Sequence, residues 1–143
     1  MGRGLFAIVV LFLVVGACGG DDTAGGGDSS TLVVNVSDFA FESDTFDVEA
    51  GREMTVELRN RGAVEHTWTV LAAGVQVASA EDIEPSDILS NVSASAAQSD
   101  SVTVVVPAAG SYQVICTVPG HLEAGMEATL RSEPAPSARA ARA

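Results

Sequence analysis

Gly110-Ser111-Tyr112-Gln113-Val114-Ile115-Cys116-Thr117-Val118-Pro119-Gly120-His121-Leu122-Glu123-Ala124-Gly125-Met126 is the stretch that orders the rest of this 143-residue chain. It follows a Pro107-Ala108-Ala109-Gly110 turn, and Ser111–Cys116 has the residue types of a strand. A second strand is expected over Met126–Arg131. Cys116 then ends one strand, Met126 begins the next, and His121 lies in the loop between them. This Cys-x4-His-x4-Met spacing lets three side chains converge on one point.

Outward from this stretch, the body from Thr31 consists of short apolar-alternating runs separated by turn residues, the spacing of an all-β sandwich or barrel. Leu32–Val36 opens it, and Phe39, Phe41, Phe46 and Val48 suggest a second, bent stretch before an Ala50-Gly51 turn. Glu53–Asn60 alternates strictly, with Met54, Val56 and Leu58 on one face and Thr55, Glu57 and Arg59 on the other, as a half-buried strand should. Further strands are expected at His66–Leu71, Val75–Ala78 and Ser101–Val106. Ser79 to Asp100, rich in Ser, Ala, Asp and Glu, reads as a long excursion with a short helical turn around Pro85–Leu89.

The chain holds two His, three Met and two Cys. His66, at the start of its strand, is expected to complete the Cys116, His121 and Met126 set from across the sandwich. Taken singly, a strand Cys, a turn His and a Met are ordinary packing residues. Together they form a thiolate, two imidazoles and a thioether. A trigonal His2Cys set with a weak, long axial Met is an electron-transfer copper site. Zinc is the competitor, since it takes Cys and His readily, but its fourth ligand would be a thioether or a carboxylate such as Glu123. Copper is favoured.

At these residues the sequence resembles the cupredoxins, the small blue copper proteins that include plastocyanin, azurin, halocyanin and sulfocyanin. The resemblance spans about Leu32 to Arg131 and includes Glu49-Ala50-Gly51 leading into Met54-Thr55-Val56, then Asn60-Arg61-Gly62 and His66. It implies a Greek-key β-sandwich, His66, Cys116 and His121 as equatorial copper ligands, and Met126 as the axial one. Many family members carry Asn or Asp just after the first His, where its side chain ties the two ligand loops together; this chain has Thr67, whose hydroxyl can still bond across.

Before the body, Met1 to Ala17 carries Arg3 and eleven unbroken apolar residues, Leu5 to Val15, shorter than the roughly 20 a membrane span needs. It reads as a signal peptide. Val15-Gly16-Ala17-Cys18 resembles the lipobox of bacterial lipoproteins, which implies lipidation at Cys18. An ordinary secretory signal cut near Ala17, or an uncleaved anchor, is the plainer alternative. Residues 18–31 are then a flexible Gly-rich tether, 32–132 the copper domain, and 133–143 a disordered tail.

Nineteen acidic residues against seven Arg leave a net charge of −12, which argues against nucleic-acid binding. The body alone carries 15 acidic residues between Leu32 and Leu130 against three Arg. That surface would steer a basic redox partner such as a cytochrome or oxidase subunit; solubility or a saline medium is the other reading. With both His used by one site, none remains for a catalytic copper, so no enzyme is expected. The reading is a monomeric one-electron carrier at the outer face of a membrane, in a respiratory or photosynthetic chain. A lipoprotein that stores or delivers copper is the alternative. Electrons are expected to pass through His121, beside an apolar patch of Val118, Pro119, Leu122 and Ala124, unless Leu122 and Val118 turn inward to fill the core.

Overall fold

The computed structural model describes residues 30–136. Nine strands form two sheets: β1 (Ser30–Ser37), β2 (Ala40–Phe41), β3 (Thr45–Glu49), β4 (Glu53–Asn60), β5 (His66–Leu71), β6 (Ile88–Ala94), β7 (Ser99–Val105), β8 (Gly110–Ile115) and β9 (Glu127–Glu133). One sheet has the order β2-β1-β4-β7 and the other β3-β9-β8-β5-β6. Four of the seven neighbouring strand pairs are not consecutive in the chain, because connections cross from sheet to sheet. Two of the resulting pairings, β1 with β4 and β3 with β9, are parallel. The fold is the expected Greek-key sandwich.

The core lies between the sheets and follows the period-two pattern. In β4, Met54, Val56 and Leu58 are buried while Glu53 and Arg59 are exposed, as the alternation requires. They face Trp68, Val70, Tyr112, Val114, Cys116 and Leu130 of the other sheet. The Tyr112 hydroxyl donates to the carbonyl of Ala108 at 2.7 Å, fixing the Pro107–Gly110 turn that aims β8. At the Ala50-Gly51 turn, Gly51 adopts φ +74°, the left-handed region open to glycine at little cost.

β5 is buried at every residue. Its inner face meets the core, and its outer face is covered by the segment that follows it. Leu71, Ile115 and Leu122 form a second small cluster, against which Val75, Val77 and Ile83 pack. Val75–Ala78 is therefore irregular chain laid over a sheet, not the expected strand. The Gln113 side chain holds it in place of a ladder, accepting from the Val77 N–H at 2.8 Å and donating to the Val77 carbonyl at 2.9 Å.

The excursion expected over Ser79–Asp100 is also shorter than its composition suggests. Two short 3-10 turns, Ala80–Asp82 and Pro85–Asp87, lead into β6, which pairs antiparallel with β5 from Leu71↔Ile88 to His66↔Ala94. β6 alternates, but its buried positions are Ser90, Val92 and Ala94. Such small side chains give little hydrophobic signal to read.

Candidate metal centre

β5 and β8 are neighbours in one sheet, paired at Thr69↔Ile115 and Val70↔Val114. His66, the first residue of β5, thus reaches Cys116 from the adjacent strand and not from across the sandwich. After Cys116 the chain makes a compact loop. His121 N–H donates to Val118 C=O, Ala124 N–H to Gly120 C=O, and Gly125 N–H to Leu122 C=O. Met126 closes the loop: its N–H donates to the His121 carbonyl at 2.9 Å, and its own carbonyl accepts from the Cys116 N–H at 3.2 Å.

Two imidazole nitrogens face one sulfur. His121 Nδ1 lies 3.4 Å and His66 Nδ1 4.0 Å from Cys116 Sγ, and the ring centroids are 4.9 Å apart. One donor atom from each of the three residues lies within 4.8 Å of the others. His66, Cys116 and Met126 are fully buried and His121 is 6% exposed. Met126 is placed beside Cys116 and His121 by its backbone bonds to both.

The surroundings favour a soft metal. The Thr67 N–H points at Cys116 Sγ at 3.4 Å, supporting a thiolate. Thr67 also does what the expected Asn or Asp would: its Oγ1 accepts from the Thr117 N–H at 2.8 Å and lies 3.0 Å from Thr117 Oγ1. The strand that begins with the first histidine is thereby fastened to the loop that follows the cysteine. Burial pushes the His121 pKa below its ordinary value, with Asp38 opposing, which is the direction that favours the neutral ring a ligand must be. Glu123, the carboxylate that zinc would have used, is exposed and accepts from Ser79 Oγ at 2.9 Å, outside the donor group. A buried set of one thiol and two imidazoles, backed by a thioether residue, fits copper.

Two residues at the site carry no signal in the sequence. Asp38 and Phe39 form the turn between β1 and β2, with Phe39 at φ +64°. Asp38 Oδ1 lies 3.4 Å from His66 Nε2, and Phe39 packs edge-on against the His121 ring with centroids 4.9 Å apart. Phe39 is 52% exposed, whereas Leu122 is only 6% exposed and joins the small outer cluster. Of the expected patch Pro119 and Ala124 are exposed, but the large apolar side chain beside His121 at the surface is Phe39, not Leu122. Val118, half-buried against the main core, also turns partly inward. Cys18 and the leader lie outside the described residues.

The sequence profile of the copper binding proteins of the plastocyanin/azurin family matches residues 29–133. Auracyanin-A of Chloroflexus aurantiacus is 30% identical over 142 residues, covering 82% of this chain and 88% of its own. Among solved structures, a dithionite-reduced auracyanin of the photosynthetic bacterium Roseiflexus castenholzii superposes with a TM-score of 0.67 at 24% identity, over 74% of this chain and 98% of its own. Auracyanin A, described as a "blue" copper protein from Chloroflexus aurantiacus, superposes with a TM-score of 0.62 at 27% identity, over 73% of this chain and 100% of its own.

Proposed function

Because the chain belongs to the plastocyanin/azurin family of copper-binding proteins and is not an enzyme, we propose that it is a one-electron carrier. In this reading His66, Cys116 and His121 would hold a type 1 (blue) copper, with the Met126 thioether as a fourth, weak donor. The observation that carries it is the pair of Nδ1 atoms facing one buried thiol at 3.4 and 4.0 Å. Copper held there supplies a Cu(II)/Cu(I) one-electron couple.

The protein's contribution is to keep these donors still. Thr67 fastens the His66 strand to the Cys116 loop, and Met126 is bonded through its backbone to Cys116 and His121. Ligands so fastened have little freedom to reorganise between oxidation states. Storage or delivery has less support, since both histidines and both methionines of the described residues are buried.

The surface route to a partner runs through His121 and Phe39. An exposed aromatic edge lets a partner exclude water at this end of the sandwich. The acidic surface supports encounter with a basic redox protein, a cytochrome or an oxidase subunit, with strong salt dependence. Among the described residues no helix is long and apolar enough to cross a membrane. The leader and the Cys18 lipobox support a lipid-anchored, extracytoplasmic protein in a respiratory or photosynthetic chain. Intact mass of the mature N-terminus tests the anchor: an unmodified Cys18 would remove it.

The function is tested on residues 30–136 reconstituted with copper. One copper per chain, an intense visible thiolate-to-copper band and a reversible couple are expected, with the band lost in Cys116→Ser. A band that survives Cys116→Ser, or a metal that leaves on reduction, would refute the carrier reading.

A further inference from the structure

The turn between β1 and β2 touches both histidines, and one of its contacts has a built socket. His66 is fully buried, and its Nε2 lies 3.4 Å from Asp38 Oδ1. The same oxygen accepts the Ala63 N–H at 2.9 Å, which aims the carboxylate at the ring. Gly62 leaves the room for it. A Cβ at Gly62 would collide with Asp38 Oδ1 and meet His66 Nε2 at 3.0 Å and Asp38 Cγ at 3.1 Å. Gly62 has no positive φ to account for a glycine, so what its missing side chain provides is space.

Resting on the copper-carrier reading, we propose that Asp38 is a positioning residue for the metal centre, holding His66 with Nδ1 toward Cys116 and using its charge to favour the oxidised metal. The physical steps are short. A proton on Nε2 donates to the carboxylate, which leaves the lone pair on Nδ1, the nitrogen facing the thiol. The carboxylate also makes the imidazole a stronger donor and places a fixed negative charge behind it. Both effects stabilise the more positive oxidation state, so Asp38 lowers the reduction potential. Its side chain is 43% exposed, so water screens the charge and the effect belongs at the low end of outer-shell contributions, about tenfold.

Three variants separate the parts. Asp38→Asn keeps an acceptor and removes the charge, Asp38→Ala removes both, and Gly62→Ala pushes an intact carboxylate off the ring. In the metal-free protein, nitrogen NMR of labelled histidine should show His66 wholly protonated at Nε2 in the unmutated chain and in Asp38→Asn, and a tautomer mixture in the other two. In the copper-loaded protein all three should raise the ratio of Cu(I) to Cu(II) affinity about tenfold, which is about 59 mV upward for a one-electron couple. A potential for Asp38→Asn equal to that of the unmutated protein would overturn the charge role. His66 still wholly Nε2-protonated in Asp38→Ala would overturn the positioning role. Failure of the unmutated chain to bind copper would instead defeat the carrier reading, with the tautomer measurement still deciding what Asp38 does to His66.

Discussion

Replacing Thr67 by Val tests whether a hydroxyl fastens the site. Valine keeps the branched shape and strand preference at a position that is 6% exposed, so packing changes little. What is lost is the oxygen that accepts the Thr117 N–H at 2.8 Å and, more weakly, the Thr69 hydroxyl at 3.3 Å. The orphaned amide would cost about 1–3 kcal/mol if fully desolvated. Thr117 is half-buried and water reaches it in part, so about 1–2 kcal/mol is expected. Thr69→Val is the control. Its hydroxyl makes only a 3.3 Å contact, with Thr67 Oγ1, and leaves no backbone donor unpaired. Denaturant unfolding of the metal-free protein can be followed through Trp68, the single, fully buried tryptophan. The Thr67→Val midpoint should fall at unchanged slope. Thr67 follows His66 and Thr117 follows Cys116, so the extra stability gained on copper loading should shrink as well. A loss no larger than that of Thr69→Val, with the copper increment intact, would refute the fastening role.

Met126→Leu should raise the reduction potential with the visible band largely kept, while Met126→Gln, a harder oxygen donor, should lower it; voltammetry showing no change for Leu would make Met126 packing alone. Phe39→Glu should slow electron self-exchange and transfer to small cytochromes at nearly unchanged spectrum and potential, and rates equal to the unmutated protein after correction for charge would move the route elsewhere. The metal-free protein should lose stability as pH falls. His121 titrates below its ordinary value of 6.5 in the folded state, so below that pH the unfolded chain binds more protons. Asp38, whose pKa is lowered chiefly by the Ala63 N–H, acts in the same direction at lower pH, as its carboxylate protonates. A denaturation midpoint of the metal-free protein that stays flat between about pH 7.5 and 5.5 would contradict this sign for His121.

The parts legible in the sequence were those whose physics is local. β4 and β5 match their expected bounds because large aliphatic and β-branched residues alternate or run together there. β6 was hidden by its small inward residues, Ser90, Val92 and Ala94. Val75–Ala78 carries a strand's pattern without being one, because Val75 and Val77 alternate as strand residues do. They bury against the face of a sheet, and period-two burial there needs no ladder partner. In the site, His66, Cys116, His121 and Met126 stood out because their residue types are scarce in this chain. Asp38 and Phe39 did not, since Asp and Phe recur along the chain. Their approach to the histidines depends on how one sheet closes over the other, which spacing along the chain does not encode.

The burial of Leu122 in the outer cluster explains how the loop works. His121 and Leu122 are consecutive in a tight turn whose carbonyls and amides bond within the loop, so their side chains leave in different directions. One enters the donor group and the other the outer cluster with Leu71 and Ile115. Burying a leucine is worth about 1.5–3 kcal/mol, and here that energy is spent on a residue covalently next to a ligand. Rotating the His121 backbone would pull Leu122 out of its cluster and away from Val75, Val77 and Ile83. The irregular 72–87 segment is thus part of the site's support. Gln113 clamps it at Val77, and the bond from Ser79 Oγ to Glu123 ties it to the residue after Leu122. Both faces of the ligand loop are braced, by Thr67 on the strand side and by this segment on the outer side. An electron-transfer site needs that arrangement, because the same ligand positions must serve both oxidation states.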